Sequence, residues 1–188
     1  NAISDPPASD CLFCAVRAAW NVSRLDSAIR RLQAQRLCLN AAVAYVEELP
    51  GPFLELGLGN GRTYDHLRET TPNRDIYVFE RRPAAHPDCT PPVEFLIQGD
   101  FKETLEKASS RIGQPAALAH CDIGSGDLGV DRDLAAQIGP AISALLAEDA
   151  IVLSDQPFNC SDWIAIQLPD GIAVGRYYMY RKSNIGKS

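Results

Sequence analysis

The residues best suited to chemistry are the glycines of one short stretch that follows an apolar run. The stretch reads Glu55-Leu56-Gly57-Leu58-Gly59-Asn60-Gly61 and lies where a predicted strand gives way to a predicted helix. Glycines at such a turn permit a tight backbone path, and they let a ligand approach the free N–H groups at the start of the helix. A dinucleotide-binding motif has glycine at its sixth position, where this chain has Arg62, so a nicotinamide-dependent dehydrogenase is disfavoured. Glu55 suits a ligand that carries an ammonium and a sulfonium better than it suits a pyrophosphate.

Carboxylates also end the next three predicted strands. Glu80 lies 19 residues after Gly61, at the distance where a carboxylate accepts hydrogen bonds from ribose hydroxyls, although it could instead pair with one of the two arginines that follow it. Asp100 could accept from an adenine amine while Phe101 packs on the ring, but Asp100 could equally be a helix N-cap. Asp122 ends the fourth strand. Because the carboxyl ends of parallel strands meet at one edge, we expect these side chains to line a common crevice.

Together these motifs resemble those of class I S-adenosylmethionine-dependent methyltransferases, from about Phe53 to Tyr180. The resemblance implies an α/β three-layer sandwich of the Rossmann-like kind, with a seven-stranded, mostly parallel sheet. It also implies an antiparallel C-terminal hairpin, which places the seventh strand between the fifth and the sixth. S-adenosyl-L-methionine is then the expected cofactor, and no metal is expected.

The resemblance assigns roles to positions of this chain. The glycines would approach the methionine part of the cofactor, Glu80 the ribose, Asp100 and Phe101 the adenine, and Asp122 the methionine end or the acceptor. We expect some of the three residues after the glycines to contact the cofactor's carboxylate. Asp122 is the predicted catalytic residue. The predicted cofactor-binding residues are Glu55, Gly57, Leu58, Gly59, Asn60, Gly61, Arg62, Thr63, Tyr64, Glu80, Arg81, Gly99, Asp100, Phe101, Asp122 and Ile123.

Apolar periodicity predicts the elements that must position these residues. Strands are predicted at 53–56, 75–80, 93–97, 116–121 and 150–153, and helices at 62–69, 101–110 and 128–147. Gly139-Pro140 is expected to interrupt or divide the last helix. Strands that alternate with helices in this way pair in parallel. Two further runs, 163–167 and 172–178, are joined by Pro169-Asp170-Gly171 and predict the antiparallel hairpin.

Residues 1–50 are predicted to form a tail and two helices, which precede a domain at 51–188. A short helix is expected to end near Trp20. A second, long amphipathic helix begins at Ser23, which forms a plausible cap with Asp26, and it is closed by Pro50 and Gly51. It could cover one side of the core, form a lid over a pocket, or form the interface of a homodimer.

Composition narrows the classes of protein further. The chain has 188 residues, of which 46% are hydrophobic and 22% charged, and it predicts one globular unit. No apolar run approaches the roughly 20 residues of a membrane span, and no secretion signal is visible, so we expect a cytoplasmic protein without membrane contact. Six cysteines are too few for a disulfide scaffold, and Cys11-x-x-Cys14 has no second pair with which to bind zinc.

The charges are unevenly distributed along the chain. Residues 1–40 carry a local charge of +2, whereas residues 121–170 carry nine acidic side chains against one arginine. The net charge of −6 disfavours a nucleic-acid partner. The acidic stretch favours a cationic or neutral methyl acceptor over a phosphorylated one. If the acceptor holds a proton at neutral pH, the candidate general bases are Asp122, Asp127 and Asp155.

The sequence therefore predicts a methyltransferase that uses S-adenosyl-L-methionine on a small-molecule acceptor. An alternative stays open, in which the chain binds this cofactor or its demethylated product without catalysis, as a sensor or a partner subunit. A turnover assay separates the two hypotheses.

Overall fold

The N-terminal part of the described chain is one long helix. A computed structural model describes residues 23–183; the predicted tail and the short helix near Trp20 lie outside them. Helix α1 spans Arg24–Tyr45, and the Ser23 hydroxyl caps it by accepting from the Asp26 backbone N–H at 3.0 Å, as predicted. Its other end is held by the Arg74 guanidinium, which donates to four carbonyls, those of Val46, Glu47, Leu49 and Gly51.

Seven strands form one sheet with the expected topology. In chain order they are β1 Phe53–Leu56, β2 Ile76–Glu80, β3 Leu96–Gln98, β4 Ala116–Cys121, β5 Leu146–Ser154, β6 Trp163–Ala165 and β7 Tyr178–Lys182. Their order across the sheet is β3-β2-β1-β4-β5-β7-β6. The first five strands are parallel, and β7 runs antiparallel to both of its neighbours. The predicted fold class is confirmed.

The remaining helices complete two layers around the sheet. They are α2 Arg62–Thr70, α3 Phe101–Lys107, α4 Ser109–Ile112 and α5 Leu128–Leu145, with a 3₁₀ turn at Pro87–Cys89. Side chains of β1 alternate between two apolar clusters, as the pleat requires. Phe53 joins the cluster formed with α1 and α2, whereas Leu54 and Leu56 join the cluster formed with α3 and α5. In residues 23–183, no helix has both the length and the apolar character of a membrane span.

Several predicted boundaries differ from the structure: β5 begins at Leu146 rather than at 150, and the helix predicted at 101–110 is two short helices. Two further differences have local reasons. Strand β3 begins at Leu96 rather than at 93, because the Phe95 N–H bonds the carbonyl of Pro92 and closes a turn there. Helix α5 is continuous through Pro140, which neither interrupts nor divides it. Proline removes the hydrogen bond to the carbonyl four residues earlier, at Ala136, but both residues lie on the exposed side, where water can replace it.

The second strand of the C-terminal hairpin was predicted in the wrong place. Residues 172–177 are not a strand; β7 begins at Tyr178, and residues 166–177 form a long connection. Turns at Ile172 and Arg176, each bonded to a carbonyl three residues earlier, and positive φ angles at Gly171 and Gly175 prevent extended pairing. The antiparallel pairing of the two strands was predicted correctly.

Candidate functional site

The glycine stretch forms an open loop between β1 and α2. Gly57 has φ 91° and comes so close to the β4 loop that a Cβ there would lie 2.2 Å from the Asp122 carbonyl oxygen. Gly59 has φ 49°, and a Cβ there would have no heavy atom within 4 Å. The loop is thus packed from below at Gly57 and faces open space at Gly59. A ligand can approach the backbone on that open side.

Glu80 directs its carboxylate at this loop. One of its oxygens accepts from the Leu58 N–H at 2.9 Å and the Gly59 N–H at 3.4 Å, and the other accepts from the Arg82 N–H at 2.8 Å. The carboxylate is half-buried. Within residues 23–183 it bonds the backbone of Arg82 and forms no ion pair with the side chain of Arg81 or Arg82, so the alternative of an arginine pair is not seen. Glu80 therefore lies beside Gly59, where a nucleoside sugar bound over the loop would meet it.

Asp100 lies at the next strand end. The Gly99 N–H donates to the Glu80 carbonyl at 3.2 Å and ties the ends of β2 and β3 together. The exposed Asp100 carboxylate caps α3 by accepting from the Lys102 N–H at 3.0 Å, so the helix N-cap considered from the sequence is present. A contact of Asp100 with adenine stays a prediction. Phe101 is half-buried and packs against the core, and Arg81 is exposed.

Helix α1 covers the site from above. The Gln35 amide donates to Asp122 Oδ2 at 3.0 Å, and the Arg31 guanidinium lies 3.8 Å from the same oxygen. Beside these contacts lies a partly open cavity of about 150 Å³, between the helix and the glycine loop. Its wall consists of Arg31, Leu32, Gln35, Leu58, Gly59, Asn60, Arg62, Thr63 and Asp122. Of the uses considered for this helix, the structure shows the core cover, and the helix also lines the cavity; a lid or a homodimer interface stays a prediction.

A chain of polar side chains runs from the cavity wall at Thr63 into the buried core. The Thr63 hydroxyl donates to Glu55, whose other oxygen lies 2.7 Å from Nδ1 of His120, and Nε2 of His120 contacts the Tyr177 hydroxyl. Glu55 and His120 are register partners on β1 and β4, and neither has exposed surface. Burial lowers the pKa of His120, but the charge and hydrogen bond of Glu55 raise it more, so the pKa is raised overall. Glu55 reaches the cavity only through Thr63, so its direct contact with the cofactor stays a prediction.

The loop after β4 is shaped by two further carboxylates. Asp155 accepts from the N–H groups of Ile123 at 3.1 Å and Gly124 at 3.0 Å, and burial together with the charge of Asp122 raises its pKa. Asp131 is buried and accepts from the backbone N–H and the hydroxyl of Ser125. The Ser125 hydroxyl is the main reason that the pKa of Asp131 is lowered.

The predicted residues are therefore gathered unevenly. The glycine loop, Arg62, Thr63, Glu80 and Asp122 converge, whereas Tyr64 packs in the core between α1 and the sheet and is not part of the cavity wall. Sequence reasoning missed Arg31 and Gln35. They are four residues apart, so they lie on one side of α1, but no local pattern marks them as site residues, because their contacts depend on how the helix packs on the sheet.

Known proteins resemble this chain in sequence and in structure. A family model described as S-adenosyl-L-methionine methyltransferase matches residues 22–182. The crystal structure of an S-adenosyl-L-methionine methyl transferase from Silicibacter pomeroyi DSS-3 is 44% identical, covers 87% of this chain and 100% of its own, and has a TM-score of 0.82. A TDP-rhamnose 3'-O-methyltransferase of calicheamicin biosynthesis shares the fold at 19% identity and a TM-score of 0.59, over 85% of this chain and 81% of its own. No curated protein matches the chain.

Proposed function

This chain belongs to the family of S-adenosyl-L-methionine methyltransferases, and from that premise we propose that its methyl acceptor is a small molecule. The observation that carries the proposal is that α1 covers the carboxyl edge of the sheet. There Gln35 donates a hydrogen bond to Asp122, and the Arg31 guanidinium lies 3.8 Å from the same carboxylate. A helix in this position leaves concave cavities beside it rather than a broad flat surface, and such cavities suit a small acceptor. The family's activity does not favour the alternative of a binding module without catalysis.

The residues present fit S-adenosyl-L-methionine. Open space at Gly59 admits a ligand to the backbone, and the adjacent Glu80 carboxylate is placed to accept from sugar hydroxyls. The cavity of about 150 Å³ beside Gly59 is below the roughly 300 Å³ typical of ligand pockets, so it suits the methionine end alone. The nucleoside then extends along the open edge past Glu80 toward Asp100.

Asp122 is the best candidate for a catalytic carboxylate. When bound, the cofactor supplies a methyl carbon that is already activated by the sulfonium charge, so the protein must chiefly align the acceptor and exclude water. Gln35 and Arg31 both contact Oδ2 of Asp122, which leaves Oδ1 without a hydrogen bond within residues 23–183. Asp155 uses both oxygens on backbone N–H groups, and Asp127 caps α5. Asp122 can therefore accept a proton from an acceptor hydroxyl or ammonium.

The described cysteines support the proposed cytoplasmic location. Cys38, Cys89, Cys121 and Cys160 are all free thiols, as expected in a reducing compartment.

A turnover assay tests the proposal. Formation of S-adenosylhomocysteine is measured with a panel of small molecules that bear hydroxyl, amine and carboxylate groups, and in parallel with RNA and with protein substrates. We expect turnover with at least one small molecule and its loss in Asp122→Asn, with Asp133→Asn as the control on the exposed side of α5. Turnover with RNA or protein alone would contradict a small acceptor.

A further inference from the structure

A cleft beside α1 carries three arginines. It has a volume of about 380 Å³ and lies between residues 30–37 of α1 and residues 171–176 of the β6–β7 connection. Arg30, Arg36 and Arg176 line it, and no acidic residue does. All three are exposed, and within residues 23–183 none of their guanidinium groups donates a hydrogen bond or forms an ion pair. We call this feature the arginine cleft.

Like charges gathered in one cleft repel each other and attract an anion. A planar guanidinium is also suited to bidentate binding of carboxylate or phosphate. The charge of Arg36 already acts on its surroundings, since burial and this charge together lower the pKa of His66. The arginine cleft is therefore a region of positive potential without a partner in the described chain.

The acidic stretch at 121–170 does not neutralise this cleft. Asp131 and Asp155 bond backbone N–H groups of the β4 loop, Asp162 bonds the Ser143 hydroxyl, and Asp122 bonds Gln35. These four carboxylates act on internal partners, so the charge count of the stretch overstates the negative charge that an acceptor meets. Asp170 lines the apolar cavity beside the cleft but not the cleft itself. The expectation of a cationic or neutral acceptor rested on that charge count alone.

The arginine cleft lies on the acceptor side of the sheet. Tyr178 at the start of β7 pairs with Ser154, the last residue of β5, so the β6–β7 connection lies at the same edge as Asp122. Helix α1 lines both the cavity beside the glycine loop and the arginine cleft. Gln35 lies in the wall of the cavity, and its neighbour Ala34 lies in the wall of the cleft. A mainly apolar cavity of about 470 Å³ adjoins the cleft, because Gly171 and Ile172 line both.

We propose that the arginine cleft binds an oxyanion group of the methyl acceptor, a carboxylate or a phosphate, while an apolar part of the acceptor occupies the adjoining cavity. This inference rests on the proposed function and names the acceptor's chemical class. Residues of both α1 and the β6–β7 connection line this binding site, so an acceptor bound there would contact both elements.

Three probes with the same eight-carbon chain test the inference: octyl phosphate, octanoate and octyltrimethylammonium. Binding to the full chain is measured by NMR titration below the micelle concentration of each probe. We expect one or both anions to bind and the cation not to, and the stronger anion identifies the oxyanion. Arg176→Gln should weaken that binding about tenfold, the usual scale for a lost charge-assisted hydrogen bond. Arg132→Gln, which removes the same charge from the exposed side of α5, should leave it unchanged.

Several results would overturn the inference: no binding by either anion, equal binding by the cation, or an equal loss in Arg132→Gln and Arg176→Gln. The probes require no turnover, so the inference and the proposed function fail separately. Turnover with cationic small molecules alone refutes the arginine cleft as the acceptor's site, whereas turnover with RNA or protein alone refutes the small acceptor. Circular dichroism of each variant establishes that it is folded.

Discussion

The buried chain of Glu55, His120 and Tyr177 gives the most quantitative test of how the site is built. His120→Leu removes the partner of a carboxylate that has no exposed surface and also leaves the Tyr177 hydroxyl without its contact. Breaking a buried charged pair by removing one partner costs about 3 to 5 kcal/mol. Tyr177→Phe leaves one nitrogen of His120 unsatisfied, which costs about 1 to 3 kcal/mol. Tyr178→Phe is the matched control, because within residues 23–183 the hydroxyl of Tyr178 makes no hydrogen bond, and a change within about 0.5 kcal/mol is expected.

Urea denaturation at several pH values measures these free energies of unfolding. The pKa of His120 is raised above its ordinary value of 6.5, so its charge stabilises the fold fully below that pH. This contribution is lost as the pH rises through the folded-state pKa. The difference between the wild type and His120→Leu should therefore shrink at high pH. A cost below about 1 kcal/mol for His120→Leu, or equal costs for the two tyrosine variants, would refute the reasoning.

Three further perturbations follow from the site's geometry. Asp131→Asn should lower the free energy of unfolding at neutral pH by about 1 to 3 kcal/mol, because the buried Asp131 carboxylate accepts from Ser125. The pKa of Asp131 is lowered from its ordinary value of 3.8. The difference between the wild type and the variant should therefore shrink as the pH falls below that value. Gly57→Ala should reduce the melting temperature, since its Cβ would lie 2.2 Å from a carbonyl oxygen, whereas Gly59→Ala should leave the fold largely intact and weaken S-adenosylhomocysteine binding in calorimetry. Arg74→Met should increase hydrogen exchange at the C-terminal end of α1, because four carbonyls lose their donor, and unchanged exchange would show that the guanidinium does not hold the helix.

Local sequence patterns predicted much of the fold, and they predicted those parts of the site that are built from residues close together in sequence. The cap at Ser23, the glycine loop and the carboxylate ending β2 each depend on neighbours within a few residues, and each was placed correctly. The contact of Gln35 with Asp122 joins positions 87 residues apart, and no local period encodes it.

The same limit explains the errors. The contact between His120 and Glu55 depends on the register between β1 and β4, which no local pattern of either strand specifies. The apolar run at 172–178 matched a strand pattern, yet two glycines with positive φ and the pairing of Tyr178 with Ser154 decided where β7 begins. Packing and register, not composition, settled these positions.

Calorimetric titration with S-adenosylhomocysteine tests most directly whether the nucleoside lies between the ends of β2 and β3. The wild type is compared with Glu80→Ala and Asp100→Ala, and with Glu106→Ala as a control that removes an exposed carboxylate from α3. We predict a loss of about 1 to 3 kcal/mol of binding free energy in each of the first two variants and none in the third. Tight binding that is unchanged in both Glu80→Ala and Asp100→Ala would contradict the placement of the cofactor at this edge.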